Sequence, residues 1–202
     1  HPVKHITTGE GGAILSNDKD FIDLCKTLRT HGMTKDPKVM SKYDGPWYYE
    51  MTKLGYNYRL TDFQSALGSS QLKKLDSFIS KRRTIAKMYD NKFTYDAFVI
   101  PKVRPISHHS YHLYPLQINF DDLAINKAAF FKKMNDHSIN LQVHYIPIHL
   151  QPFYKKLLRH EKGDFPITEK FYENEVSLPI YPDLTEKDVE NVISKVLDFT
   201  SK

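Results

Sequence analysis

Two side chains near the start of the chain have the chemistry to react with or bind an anionic carbonyl compound. Lys4 stands in His1-Pro2-Val3-Lys4-His5-Ile6-Thr7-Thr8-Gly9-Glu10-Gly11-Gly12, between apolar residues that can desolvate it and two histidines. An amine attacks a carbonyl when burial or nearby cations lower its pKa, the usual origin of Schiff-base lysines. A lysine near a terminus is more commonly just solvated, so its neighbours in sequence must decide. Arg59, in Leu54-Gly55-Tyr56-Asn57-Tyr58-Arg59, carries a planar fork suited to a carboxylate or phosphate. A capping or surface role fits it nearly as well. Gly9-Glu10-Gly11-Gly12 lacks the Gly-Lys-Ser/Thr ending of a P-loop, and its glycines suit a tight backbone turn beside Lys4. Of the ten histidines, His108, His109 and His112 cluster most tightly, without the cysteine or carboxylate partners of a common zinc site, so no metal is expected.

These residues need a scaffold, and the pattern supplies one. With 202 residues, 40% hydrophobic and 26% charged, the chain is long enough for one sizeable core or two small ones. Gly12 to Ser16 reads as a short buried strand, and Asp20 to His31 as an amphipathic helix stopped by Gly32. Cys25, the one cysteine, falls on that helix's apolar stripe and is expected to be buried and inert. Residues 34 to 53 lack either period and read as a long excursion. Thr61 and Gln64 fit a capping box opening a helix that reaches Phe93, with a break or close packing expected at Gly68-Ser69-Ser70. Strands are expected at Phe98 to Ile100, Tyr111 to Phe120 and Leu141 to Tyr145, and helices at Asn126 to His137 and after Thr185. The boundary between two domains is placed near residue 85, inside the long helix. The formal net charge of +5 is spread among acids, and Lys73-Lys74, Lys81-Arg82-Arg83 and Lys155-Lys156 read as solvated helix faces, so nucleic acid is not an expected partner. No apolar run reaches the length of a membrane span, and the lone cysteine suits the cytoplasm.

Ordered blocks change the weight of Lys4. The lysine loop, Arg29-Thr30-His31-Gly32, Leu54 to Asp62, Gln71-Leu72-Lys73-Lys74-Leu75, Tyr111-His112-Leu113-Tyr114-Pro115, Gln142-Val143-His144-Tyr145-Ile146-Pro147-Ile148-His149 and Ser177-Leu178-Pro179-Ile180-Tyr181 follow one another in the chain. In order and spacing they resemble the DegT/DnrJ/StrS family of sugar aminotransferases, along essentially the whole chain. The first block and His112-Leu113-Tyr114-Pro115 are most similar to the branch that makes pseudaminic acid precursors. That resemblance implies an α/β chain comprising the end of the large domain (1–85, incomplete) and the small α+β C-terminal domain (86–202) of a fold-type I enzyme that uses pyridoxal 5'-phosphate.

On the same resemblance Lys4 forms the Schiff base with the cofactor and shuttles the proton. Asn57 matches the asparagine that reaches the cofactor phosphate of the neighbouring subunit, and its amide is a good neutral donor. By itself Asn57 would be an ordinary turn residue before the Thr61 helix. Arg59, His144 and Tyr145 would face the substrate, the imidazole and phenol bonding hydroxyls or stacking on a ring; a buried strand end is an equal reading of the last two. The implied partners are a UDP-linked keto-sugar, L-glutamate and a second copy of the chain in a homodimer with shared active sites. The pyridinium-pairing aspartate, the stacking aromatic and a phosphate-binding serine belong, by the resemblance, to a preceding half, so little activity is expected of these residues alone. An aminotransferase for another keto-sugar and a non-catalytic remnant or dimerisation lobe are the competing readings. The family's dehydratase offshoot carries histidine where Lys4 stands.

Overall fold

The computed structural model describes residues 1–201, and the chain falls into two compact units, His1–Lys74 and Leu75–Lys202. The division falls in the chain between two helices, eleven residues before the expected end of the first domain at residue 85. The expected long helix is two: α2 runs Asp62–Leu72 and α3 runs Leu75–Lys92, so residue 85 sits inside a helix belonging wholly to the second unit.

In the first unit, α1 (Lys19–Leu28) begins where the Asp18 carboxylate accepts from the Phe21 N–H, a standard N-cap. It has no buried residue, and Cys25 is half-buried rather than buried. The strand expected over residues 12 to 16 does not form: the segment is exposed coil, with Leu15 92% accessible. A strand needs a ladder partner for its N–H and C=O groups, and among the described residues none pairs with it. The long excursion is closed at its base by the antiparallel pair β1 (Met33–Thr34) and β2 (Glu50–Met51). Inside it the Glu50 carboxylate accepts from the Ser41 N–H and hydroxyl (2.8 and 2.6 Å), the Lys42 N–H (3.3 Å) and the Tyr48 hydroxyl (3.0 Å). α2 opens with the expected capping box between Thr61 and Gln64.

The second unit holds the core. A three-stranded antiparallel sheet, ordered β3 (Phe98–Val99), β4 (Tyr114–Ile118) and β5 (Glu175–Leu178), packs with α3, α4 (Lys127–Asp136) and α7 (Glu186–Thr200). Alternation along β4 buries Tyr114, Leu116 and Ile118, as the period of two requires. α4 is capped by Asn126 and α7 by a Thr185–Asp188 capping box. Two short helices absent from the sequence reading, α5 (Pro152–Leu158) and α6 (Pro166–Asn174), each start on a proline at the first helical position. Arg82 overturns the expected solvated face: it is 5% accessible, and its Nη1 donates to the carbonyls of Tyr111, His112 and Ile180 at 3.1, 3.2 and 2.7 Å. The Tyr89 and Tyr114 hydroxyls, both raised in pKa chiefly by burial, donate to the Pro179 carbonyl and the Asp90 carboxylate. Leu141 to Tyr145 makes no full strand; Gln142 alone bridges to Ser177 on β5.

Candidate functional site

Lys4 is exposed, on a loop whose downstream half is clamped to the first turn of α2. The Gln64 side chain does two jobs. Its Oε1 accepts from the Thr61 N–H and hydroxyl, closing the cap, while its Nε2 donates to the carbonyls of Thr8 (3.3 Å) and Glu10 (3.1 Å). Thr8 is drawn in closely: a Cβ on Gly11 would meet its hydroxyl at 2.5 Å, and one on Gly68 would meet its methyl at 2.8 Å. The glycine that weakens α2 therefore provides the close packing expected of it. Thr7 adds a local tie, its hydroxyl accepting from the Gly9 N–H at 2.9 Å.

Asn57 is placed by a backbone crossing. The Gly32 and Gly55 segments press together so closely that a Cβ on Gly55 would lie 2.1 Å from the Gly32 nitrogen, and one on Gly32 only 1.7 Å from the Lys53 carbonyl oxygen. Gly32 also has φ +69, the left-handed region where side chains are disfavoured. The segments then exchange bonds: His31 N–H to the Tyr56 carbonyl (2.8 Å), Tyr58 N–H to the Arg29 carbonyl (2.9 Å), and a bridge between Thr30 and Asn57. Two motif blocks some 25 residues apart are thus one structure. Tyr56 and Tyr58 stack with ring centroids 4.9 Å apart, and Asn57 between them is exposed. Arg59 is exposed and makes no ion pair among the described residues.

His144 and Tyr145 lie in the second unit, joined by a cis peptide bond, with their rings edge to face at 4.5 Å. His144 is half-buried and Tyr145 is 69% accessible. A cavity of about 410 Å³ opens beside them, lined by Tyr145 with Phe131, Gln142, Val143, Gln151 and Tyr172 among others. His144 Nδ1 is 2.7 Å from the Ser177 hydroxyl, and its backbone N–H donates to Glu175 at 2.9 Å. Sequence reasoning missed both β5 partners; a hydrophilic pair two residues apart, Glu175 and Ser177, inside a buried strand was the available signal. His149 and His31 have structural places: His149 bonds the buried Glu169 carboxylate at 2.8 Å, and His31 turns the chain with φ 58. Burial opposes ionisation of Glu169, but His149 and the N–H groups of Gly163 and Phe165 outweigh it and lower its pKa. His109 accepts from the Tyr111 N–H, and among the described residues no three His, Cys, Asp or Glu side chains converge as a metal site. No helix there is long and apolar enough to cross a membrane.

The chain belongs to the DegT/DnrJ/EryC1/StrS aminotransferase family, which it matches over residues 1–197. It is 40% identical over its full length to the uncharacterized protein MJ1066 of Methanocaldococcus jannaschii, covering 53% of that protein. It is 38% identical, again over its full length, to the UDP-4-amino-4,6-dideoxy-N-acetyl-beta-L-altrosamine transaminase of Campylobacter jejuni, covering 51% of it. Among solved structures, Helicobacter pylori PseC, an aminotransferase involved in the biosynthesis of pseudoaminic acid, superposes with a TM-score of 0.84 at 33% identity, over 99% of this chain and 51% of PseC. The chain thus spans about half the length of the curated relatives it matches. The family is one of pyridoxal-phosphate sugar aminotransferases, and the α/β fold and cofactor expected from the sequence follow from membership.

Proposed function

We propose that the protein containing this chain transfers an amino group from L-glutamate to C4 of a UDP-linked 4-keto-6-deoxy amino sugar, in the making of pseudaminic acid or a related surface glycan. The observation that carries this is Lys4 itself: an exposed amine on a loop pinned by Gln64 and packed by Thr8 against Gly68. The residues present suit pyridoxal phosphate. Lys4 offers the primary amine for its carbonyl, Asn57 an exposed amide for its phosphate, and a Cβ at Gly9 or Gly12 would meet nothing within 4 Å, which leaves open space along the loop. When bound, that group supplies an electron sink for the amino-bearing carbon.

The chain's own contributions then divide by residue. Lys4 Nζ takes the proton from the donor's Cα and returns it, a role that needs one amine held within reach of the reacting carbons. The Gln64 clamp limits the search of the loop on which that amine stands. Asn57 donates to a phosphate oxygen of a second subunit's cofactor, and Arg59, His144 and Tyr145 contact the substrate. A homodimer with shared sites is the active unit, and the lone cysteine supports the cytoplasm as its compartment.

The test is formation of 2-oxoglutarate from L-glutamate and the UDP-linked 4-keto sugar by the whole protein, with ping-pong kinetics expected. Lys4→Ala should lose roughly 10²–10⁴-fold in kcat. Mixing Lys4→Ala with Asn57→Ala subunits should restore part of the rate. A Lys4→Ala enzyme of undiminished kcat would refute the assignment.

A further inference from the structure

The surroundings of His144 determine where its ring proton sits. Strand alternation puts Glu175 and Ser177, two residues apart, on one face of β5. The bridge between Gln142 and Ser177, with N–H to carbonyl distances of 3.3 and 2.8 Å, sets the register that brings His144 over that face. Three contacts result. The His144 N–H donates to Glu175 Oε2 at 2.9 Å, Ser177 Oγ lies 2.5 Å from Glu175 Oε1, and His144 Nδ1 lies 2.7 Å from Ser177 Oγ. Glu175 is 0% accessible and Ser177 4%.

Counting protons gives the chain a direction. A carboxylate accepts and never donates, so the single Ser177 hydroxyl proton points to Glu175. The oxygen of Ser177 then has only lone pairs to offer His144, and Nδ1 must carry the hydrogen. Nε2, which has no hydrogen-bond partner among the described residues, is left with its lone pair. Burial lowers the pKa of half-buried Lys127, and the charge of Glu175 opposes that lowering.

We propose that Glu175 and Ser177 are positioning residues that hold His144 as the Nδ1–H tautomer, so that Nε2 meets the substrate as an acceptor and selects a group that donates, a sugar hydroxyl or an amide N–H. The substrate half of this rests on His144 belonging to the sugar site; the tautomer does not. Free histidine favours the opposite tautomer, Nε2–H, so the arrangement has a spectroscopic signature.

Long-range ¹H–¹⁵N correlation spectra of the ¹⁵N-histidine-labelled protein, recorded where imidazoles are neutral, report the tautomer directly, with His144→Gln assigning the signal. Wild type should show Nδ1–H at His144. In Glu175→Gln the side-chain carbonyl must stay on the His144 N–H, which turns the NH₂ toward Ser177; the hydroxyl then donates to Nδ1 and the signal switches to Nε2–H. Ser177→Ala should also revert to Nε2–H, and Ser177→Thr should restore Nδ1–H. An Nε2–H signal in wild type overturns the proposal without any variant, and so does a folded Glu175→Gln protein that keeps Nδ1–H. No substrate or cofactor is in the sample, so this result and the fate of the aminotransferase reading are independent.

Discussion

Gly55 lies at the close backbone crossing with Gly32, and that crossing sets the position of Asn57. An added Cβ would lie 2.1 Å from the Gly32 nitrogen and 2.7 Å from the Leu28 carbonyl oxygen, neither of which is a flexible side-chain end. Gly55→Ala must therefore part the two segments and break the bridge between Thr30 and Asn57. We expect a destabilisation of at least ~1 kcal/mol, with hydrogen exchange accelerating at the His31 and Tyr58 amides. Unchanged exchange at both would show that the crossing gives way cheaply. Lys4, Asn57 and Arg59 were visible as candidates in the sequence because each sits in a block whose order is itself a signal. Glu175, Ser177 and Arg82 were not, since a charged or polar residue in a short window reads as solvated until the tertiary fold buries it and provides partners.

Helices that open on a side-chain cap were legible, the proline-started α5 and α6 were missed, and two expected strands lack the distant partner they need. The Thr61 and Thr185 caps, and the Asn126 cap of α4, are local hydrogen bonds written in adjacent residues. Residues 12 to 16 and 141 to 145 have strand-like composition, but ladder bonds come from elsewhere in the chain, and neither segment obtains more than the single bridge at Gln142. Arg82 shows what such distant partners are worth. Arg82→Met would leave three carbonyls without this donor, and we expect a loss of roughly 2–4 kcal/mol of unfolding free energy in urea titrations; no loss would mean water replaces it. The excursion between β1 and β2 should respond to acid. The Ser41 hydroxyl and N–H above all hold Glu50 at a pKa of about 2 against an ordinary 4.5. Because its folded pKa is depressed, its contribution is complete above about 4.5 and is lost as pH falls toward about 2. Trp47, the one tryptophan, folds over Gly45 within this loop. Its fluorescence should hold steady down to pH ~4.5 and change below it; a transition centred at or above the ordinary value would contradict the Glu50 assignment.

At the scale of the molecule the two units differ in how they are stabilised. Every buried apolar side chain among the described residues lies between Ile85 and Val196, while neither α1 nor α2 buries a residue. Local stability follows apolar burial, so hydrogen exchange should be slowest at Leu116, Val176 and Val196 and fast throughout α1 and α2. Uniform protection across both units would contradict this. The candidate residues fall on both sides of that difference, Lys4 in the unit whose described residues bury no apolar side chain and His144 in the unit that holds the core. The proposed chemistry depends most on Lys4. Borohydride reduction of the protein loaded with pyridoxal phosphate, followed by peptide mass mapping, fixes the cofactor to whichever lysine holds it. One pyridoxyl group per chain is expected on the peptide containing Lys4 and none in Lys4→Ala; a pyridoxyl group on another lysine, or equal labelling of the variant, would overturn the role proposed for Lys4.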